Sequence, residues 1–271
     1  MLGLSSGLFY SNLMSSGPNF SNNTKGLRFD IIDDDDNGIP DFGTPQGTVI
    51  VDDDDVLSFS GTGNADDIDF SVACWVKRDD TSSSGFFRKD VLGYDTEYRA
   101  FYQSNSLFVD IFDGNGTSAS NYRRQVYASN STDWHHVIIV FNGPGGGVLD
   151  ADVYFDSVLQ SSTGVGGSDT NGMTPGDGNL KIGELNSGYS NEGNMCHFTM
   201  WGDYALSADE AVYLYAGGSG YKNPLVSDGD YNGGDNVVLW LPFDGSLNDN
   251  SSNSIGTSFT GELTFTTDVP I

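Results

Sequence analysis

The sequence predicts an all-β protein, a sandwich of short antiparallel strands, on three observations. The 271-residue chain has 33 Asp and five Glu among its 38 acidic residues, with 36 Gly. Asp and Gly serve turns and caps whereas Glu serves helix faces, so this bias disfavours helices. Short segments of strand-like pattern recur, with Gly, Asn, Asp or Ser in each gap. Helical periods between them are missing, which points to a β-sandwich or jelly roll. At 13% aromatic residues the chain is also too rich in core formers for a disordered acidic polymer.

The segment "IDFSVACWVKR" shows the period most clearly. Phe70, Val72, Cys74 and Val76 share one face, and Ser71, Ala73, Trp75 and Lys77 the other. Further strands are expected at Thr48–Val51, Val56–Ser60, Tyr98–Gln103, Ser106–Phe112 and Arg123–Ser129. Trp134–Asn142, Asp150–Gln160, Asn179–Leu185 and Met195–Gly202 complete the series. One segment departs from it. "LSADEAVYLYAGG" offers Ser207 as N-cap with Glu210 three residues on, and Gly217–Gly218 as a stop, so one short helix is expected.

Three regions follow. Residues 1–47 hold few apolar clusters and read as an extended arm that orders against a partner and ends in an acidic loop. Residues 48–218 form the sandwich. In residues 219–271, "NVVLWLPFDG" reads as a strand returning to it.

The net charge of −27 opposes binding to nucleic-acid phosphates or anionic lipid. No run of 18 apolar residues is present, so no membrane insertion is expected. "MLGLSSGLFYSNLMSSG" lacks a basic n-region and does not read as a signal peptide, which implies release into the cytoplasm where the chain is made. Cys74 and Cys196 lack metal-ligand spacing; they are buried free thiols or a bridge between neighbouring strands.

In order, "DFSVACWVKRDD", "DWHHVIIVFNG", "VYFDSVL", "LKIGEL" and "MCHFTMWGDYALSADEAVYLYAGG" resemble the concanavalin A-like, laminin-G-like jelly-roll superfamily. Its members share an F-[ST]-[IV]-x-x-W-[VI]-[KR] strand, then W-x-H-V, a Y-[VF]-D-G-x hairpin and an A-L-S-x-x-E helix. This chain departs from the pattern at Ser157, in place of the hairpin glycine, and at "NMCHF". The resemblance implies two antiparallel sheets, one short helix and, in many members, carbohydrate binding. The run from "LSADEAVYLYAGGSGYKNP" to "DVPI" also resembles the ends of jelly-roll proteins on tailed, especially marine, bacteriophage particles.

Candidate sites follow from residue chemistry. In "IIDDDDNGIPDFG", Gly38 at the turn position of a D-x-[DN]-x-[DN]-G calcium loop places Asp33, Asp35 and Asn37 at positions 1, 3 and 5. The Ile39 carbonyl falls at 7 and Asp41 at 9, while Thr44 stands where a bidentate Glu is expected. The stretch also resembles the Asp-rich calcium loops of thrombospondin-type repeats. Asp52–Asp55 has no glycine turn and reads as solvated surface. Glu97, Glu184, Glu192, Glu210 and Glu262 are isolated, without the paired-carboxylate strand of sandwich glucanases. His135 and His136 are neighbours on one strand, so they point to opposite faces and cannot share a metal. Tyr94, Tyr98, Tyr102, Tyr122 and Tyr189 are candidate sugar-stacking or core residues.

The expected function is non-enzymatic: a virion structural protein on the surface of a bacteriophage particle, capsid-decorating or tail-associated. Its partners would be other virion proteins, further copies of itself and a cell-surface glycan. The alternative is a bacterial cell-surface lectin-like carbohydrate-binding module, and a glycoside hydrolase ranks third. Calcium binding at the acidic loop should be visible by titration calorimetry at millimolar calcium, the weak end of the range for such loops at roughly 10⁻⁴–10⁻³ M. Asp35→Ala should remove the signal; a heat unchanged by that substitution makes the run a solvated turn.

Overall fold

Alternation along a strand normally leaves one face to solvent, yet Phe70–Arg78 is buried on both faces apart from Lys77. The computed structural model explains why. It describes residues 24–29, 47–60, 68–79, 84–90, 96–103, 105–112, 121–127, 131–143, 150–166, 173, 176–186, 189–190, 193–218 and 222–270.

In chain order the strands are β1 (Gly26–Phe29), β2 (Thr48–Val51), β3 (Phe70–Arg78), β4 (Ser84–Asp90), β5 (Thr96–Gln103) and β6 (Ser106–Phe112). Next come β7 (Asn121–Tyr127), β8 (His135–Asn142), β9 (Asp150–Phe155), β10 (Val158–Leu159), β11 (Ser162–Gly166) and β12 (Leu180–Ile182). After β13 (Glu184–Asn186), β14 (Tyr189–Ser190) and β15 (Gly193–Gly202) comes the helix α1 (Ala208–Tyr215). Then follow β16 (Val237–Leu241), β17 (Thr257–Thr260) and β18 (Leu263–Thr266).

Two large antiparallel sheets result, as the all-β jelly-roll reading requires, with β13 and β14 forming a separate two-stranded ribbon. Sheet 1 runs β10-β9-β8-β3-β15-β1-β18, with β16 also on β15, and sheet 2 runs β11-β7-β6-β5-β4-β12-β2-β17. Between them lies the main core, with Phe70, Val72, Cys74 and Val76 from sheet 1 facing Tyr98, Ala100, Leu107, Val109 and Leu180 from sheet 2. A second apolar cluster covers the other face of sheet 1. There Ala73, Trp75, Ile138, Val140 and Trp201 meet Leu206, Ala211 and Leu214 on and before α1, with Tyr231 and Trp240 from the tail.

Ser207 caps α1 as its spacing predicts, accepting from the Glu210 amide while the Glu210 carboxylate accepts from the Ser207 amide at 2.8 Å. The Glu210 carboxylate also accepts from the Tyr204 hydroxyl at 2.6 Å and the Asn232 amide at 3.0 Å, pinning the following loop to the helix. Trp201 Nε1 donates to Tyr231 at 2.7 Å, and the Tyr231 hydroxyl donates to the Pro224 carbonyl at 2.6 Å. Left-handed backbone ends the helix at Ala216 (φ 53°), one residue before the glycine pair.

Four readings change. Gly26–Phe29, assigned to the arm, is a sandwich strand that pairs with β15 and β18 and buries Leu27 and Phe29 in the main core. Four residues are too few to show a period, and only the neighbouring strands supply the register. Gly183 (φ 88°) belongs to this contact, since a Cβ there would stand 2.4 Å from the Phe29 ring. Val56–Ser60 is not a strand but begins as a 3-10 turn, Asp55–Leu57, because the Asp54 carboxylate accepts from the Val56 amide. Asp150–Gln160 divides into β9 and β10 at Asp156–Ser157, both with positive φ, a tight hairpin made without the family's glycine. Asn179–Leu185 likewise divides at Gly183 into β12 and β13. The two cysteines are free thiols: Cys74 lies in the main core and Cys196 in the second cluster, on opposite faces of sheet 1, so no bridge can join them. Burial pushes both thiols up, out of the reactive range.

The tail closes the structure. β16 pairs with β15, β17 with β2, and β18 with β1. Leu239, Leu241 and Phe243 are fully buried. Each such side chain contributes about 1.5–3 kcal/mol, and together they rival a typical net stability of about 5–15 kcal/mol. Deleting residues 236–271 should therefore give an aggregating chain. A soluble product with an unchanged melting temperature would show that the tail is an appendage.

Candidate functional site

Helix α1 and the tail cover the outer face of sheet 1, whereas among the described residues no helix packs on the outer face of sheet 2. Alternation decides what stands there. On β5, Tyr98, Ala100 and Tyr102 point into the core, leaving Arg99 and Phe101 outward. On β6, Leu107, Val109 and Ile111 point inward, leaving Phe108, Asp110 and Phe112 outward. β12 adds Lys181 between core residues Leu180 and Ile182, and β4 adds Arg88.

These side chains form one connected surface. Phe101 and Phe108, directly opposed across β5 and β6, stack with centroids 5.1 Å apart and planes 11° from parallel. The Arg99 guanidinium lies 5.1 Å from the Phe101 ring centre and 5.0 Å from that of Phe112. Asp110, fully buried, holds it through Nε at 2.9 Å and Nη2 at 2.7 Å. Beside them the Glu184 carboxylate accepts from Arg88 at 3.2 Å and the Thr48 hydroxyl at 3.2 Å, with Lys181 Nζ at 3.6 Å. Arg88, Arg99 and Lys181 keep between 16% and 25% of their side chains exposed, so the charges are reachable yet partly desolvated. Phe101 is only 5% exposed, so Phe108 is the ring of this pair that can be laid against the apolar face of a sugar, with the neighbouring charges directing hydrogen bonds to its oxygens.

A second polar cluster sits near β4 and β5. Glu97 is fully buried and accepts from the Phe59 amide (3.1 Å), the Gly176 amide (3.2 Å) and the Ser58 hydroxyl (3.2 Å). Burial raises its pKa to about 7 against the pull of Lys89 and these donors. Lys89, also fully buried, donates to Asp53 and to the Gly178 carbonyl. Both oxygens of Glu97 are occupied by loop groups, so it fastens the loops around Ser58 and Gly176 to β5.

Several sequence candidates fall elsewhere. Asp33, Asp35, Asn37, Ile39 and Asp41, like Tyr94 and Glu192, lie outside the described residues. Tyr98 and Tyr102 are core residues rather than sugar contacts, and the Tyr98 hydroxyl donates to the Leu57 carbonyl at 2.9 Å. The backbones of Tyr122 and Tyr189 are in β7 and β14. Asp52–Asp55 is largely exposed, although Asp54 caps the 3-10 turn and Asp53 pairs with Lys89. His135 bonds Asp156 at 2.7 Å, while His136 packs against Trp75 on the helix side of sheet 1. Among the described residues no cluster of three His, Cys, Asp or Glu side chains could hold a metal. Sequence reasoning missed Phe101, Phe108, Arg99 and Asp110. "SLFVDIF" shows the period, but its polar face becomes a site only when β4, β5 and β6 align.

The comparisons agree with this architecture. Residues 51–212 match the Laminin_G_3 model, described as concanavalin A-like lectin/glucanases superfamily. The chain belongs to that superfamily. A candidate carbohydrate binding protein from Bacteroides ovatus matches with a TM-score of 0.55 at 16% identity, over 92% of this chain and 61% of that one. The chain therefore spans about 61% of the length of that relative. The native heptameric SAP-like pentraxin of Limulus polyphemus matches at 0.52 and 14% identity, over 90% and 94% of the two chains. At these identities the likeness is one of fold. A search of the curated proteins found no match.

Buried titratable groups give the fold opposing responses to pH. Burial lowers His136 to about 4, and burial with the neighbouring His136 lowers His197 to about 3. Their contribution is present above the ordinary histidine value of 6.5 and is lost as pH falls. Glu97 is raised, so its contribution is present below 4.5 and is lost as pH rises through about 7. The melting temperature of Glu97→Gln relative to the parent should therefore rise between pH 4.5 and about 7, a window set by those two values. A difference that stays constant with pH would show Glu97 titrating as an ordinary carboxylate.

Proposed function

We infer that the protein is a non-enzymatic glycan-binding module displayed on the outside of a bacteriophage particle, decorating the capsid or belonging to the tail. The observation that carries the binding reading is the outer face of sheet 2, where Phe101 and Phe108 stack beside an arginine held between two phenylalanines. The superfamily supports it, as does the disposition of the carboxylates. Glu97 accepts from three loop donors, Glu184 is engaged by Arg88 and Thr48, Glu210 caps α1, and Asp110 holds Arg99. None of these is arranged as an acid paired with a nucleophile.

The particle reading is supported by the resemblance of the helix-to-tail run to phage jelly-roll proteins. Other virion proteins and further copies of the chain are its proposed partners. Calcium at Asp33, Asp35, Asn37, the Ile39 carbonyl and Asp41 belongs to the same proposal, since these oxygens suit a hard cation.

Two measurements test this. Phe108→Ala should lower binding in a glycan array by roughly tenfold, a loss of about 1.4 kcal/mol, without changing the circular dichroism spectrum. Binding that survives the substitution would move the site off this face. Immunogold labelling should mark intact particles, and particles without label would overturn the virion role.

A further inference from the structure

The outer face of sheet 2 carries a row of charge that the overall composition opposes. Cross-strand register places Lys181 opposite Arg88, Arg88 opposite Arg99, Arg99 opposite Asp110, and Asp110 opposite Arg123. Four of the chain's 11 basic residues thus occupy one line across β12, β4, β5, β6 and β7, in a protein of net charge −27. Like charges directly opposed on adjacent strands destabilise a sheet, and Arg88 faces Arg99. With 33 Asp in the chain, a row of this sign has no origin in average composition. Asp110 and Glu184 offset part of the charge, and they also fix the geometry. Asp110 takes the Nε and Nη2 side of Arg99, and Glu184 gathers Arg88, Lys181 and Thr48.

We propose that the ligand of this face is an acidic polysaccharide lying across the strands, with its carboxylate or sulfate groups along the row Lys181–Arg88–Arg99, which the register continues to position 123 on β7. The proposal rests on the glycan-binding reading and adds the substrate class. Adjacent strands are about 4.8 Å apart, so the row from β12 to β7 spans about 19 Å. One strand spacing is comparable to the advance of one sugar ring in an extended polysaccharide, so a chain with one anion per ring meets a cationic position at most strands. Phe108, part-exposed and backed by Phe101, lies one row along the same strands, where it can support the apolar face of a ring. Arginine suits both anions because its planar fork donates two parallel hydrogen bonds. The overall negative charge does not prevent this, because at physiological salt charges more than about 8 Å away are largely screened. It does exclude a ligand recognised by bulk attraction, so selectivity rests on the row.

Titration calorimetry on the full chain tests the idea with oligogalacturonates and their methyl esters, which differ only in carboxylate charge. A sulfated galactan and its desulfated form make a second arm that distinguishes sulfate from carboxylate. The acidic member of at least one pair should bind at least tenfold more tightly than its neutral counterpart. Its affinity should rise with length up to about four sugars, as the row's span implies. Lys181→Gln combined with Arg123→Gln should erase the preference, while Lys181→Arg should retain it, which separates loss of charge from loss of fold. Equal binding of acidic and neutral members, or a preference that survives the double substitution, overturns the inference and leaves the glycan-binding reading standing. Absence of binding to every acidic and neutral glycan overturns both.

Discussion

The sandwich depends on β15, a ten-residue strand whose two edges hold the two ends of the chain together. One edge pairs with β3 along its length, and the other is shared, with β1 on its first part and β16 on its second. The division falls at a bulge where His197 and Phe198 together oppose a single residue of β3. His197 occupies left-handed backbone (φ 56°), and its amide donates to the Pro242 carbonyl at 3.3 Å. The extra residue keeps Met195, Phe198 and Met200 on the main-core face, and Cys196 and Trp201 on the helix face. Without it the period of two would turn half of the strand inside out.

Asp268, near the end of the chain, secures this arrangement from outside. It accepts from Lys77 at 2.7 Å, Asn194 at 2.9 Å and Trp134 at 3.1 Å, which joins the tail to β3, β15 and the approach to β8. Burial acts to raise its pKa, and the donors outweigh that and hold the carboxylate below its ordinary value. Trp134, the first residue of the family's W-x-H-V pattern, therefore has a structural partner. Gly193 makes the close approach of β15 to β3 possible, since a Cβ there would stand 2.0 Å from the Lys77 carbonyl oxygen.

Because β15 and β3 are buried on both faces, sheet 1 is a middle layer between the main core and α1. The proposed binding face is on sheet 2, where alternate residues of β5 and β6 carry charged and aromatic side chains outward. Electrostatics divides in the same way. Among the described residues most aspartates are in loops, and a row of basic residues sits on sheet 2, where register fixes their spacing.

The sequence by itself determined the fold class, the strand Phe70–Arg78 and the capped helix, because period, turn chemistry and capping are local and leave a signature in a few residues. "SLFVDIF" and the Ser207–Glu210 box were legible for that reason. Gly26–Phe29 was not, since four residues carry too little pattern and their burial depends on β15 and β18. The exposed edge strand Thr257–Thr260 was hidden too, because one partner strand, not an apolar face, makes it a strand. The candidate site was not legible in the chain. Lys181, Arg88, Arg99 and Arg123 are far apart in the chain and unremarkable one by one, and it is cross-strand register, a long-range property, that lines them up.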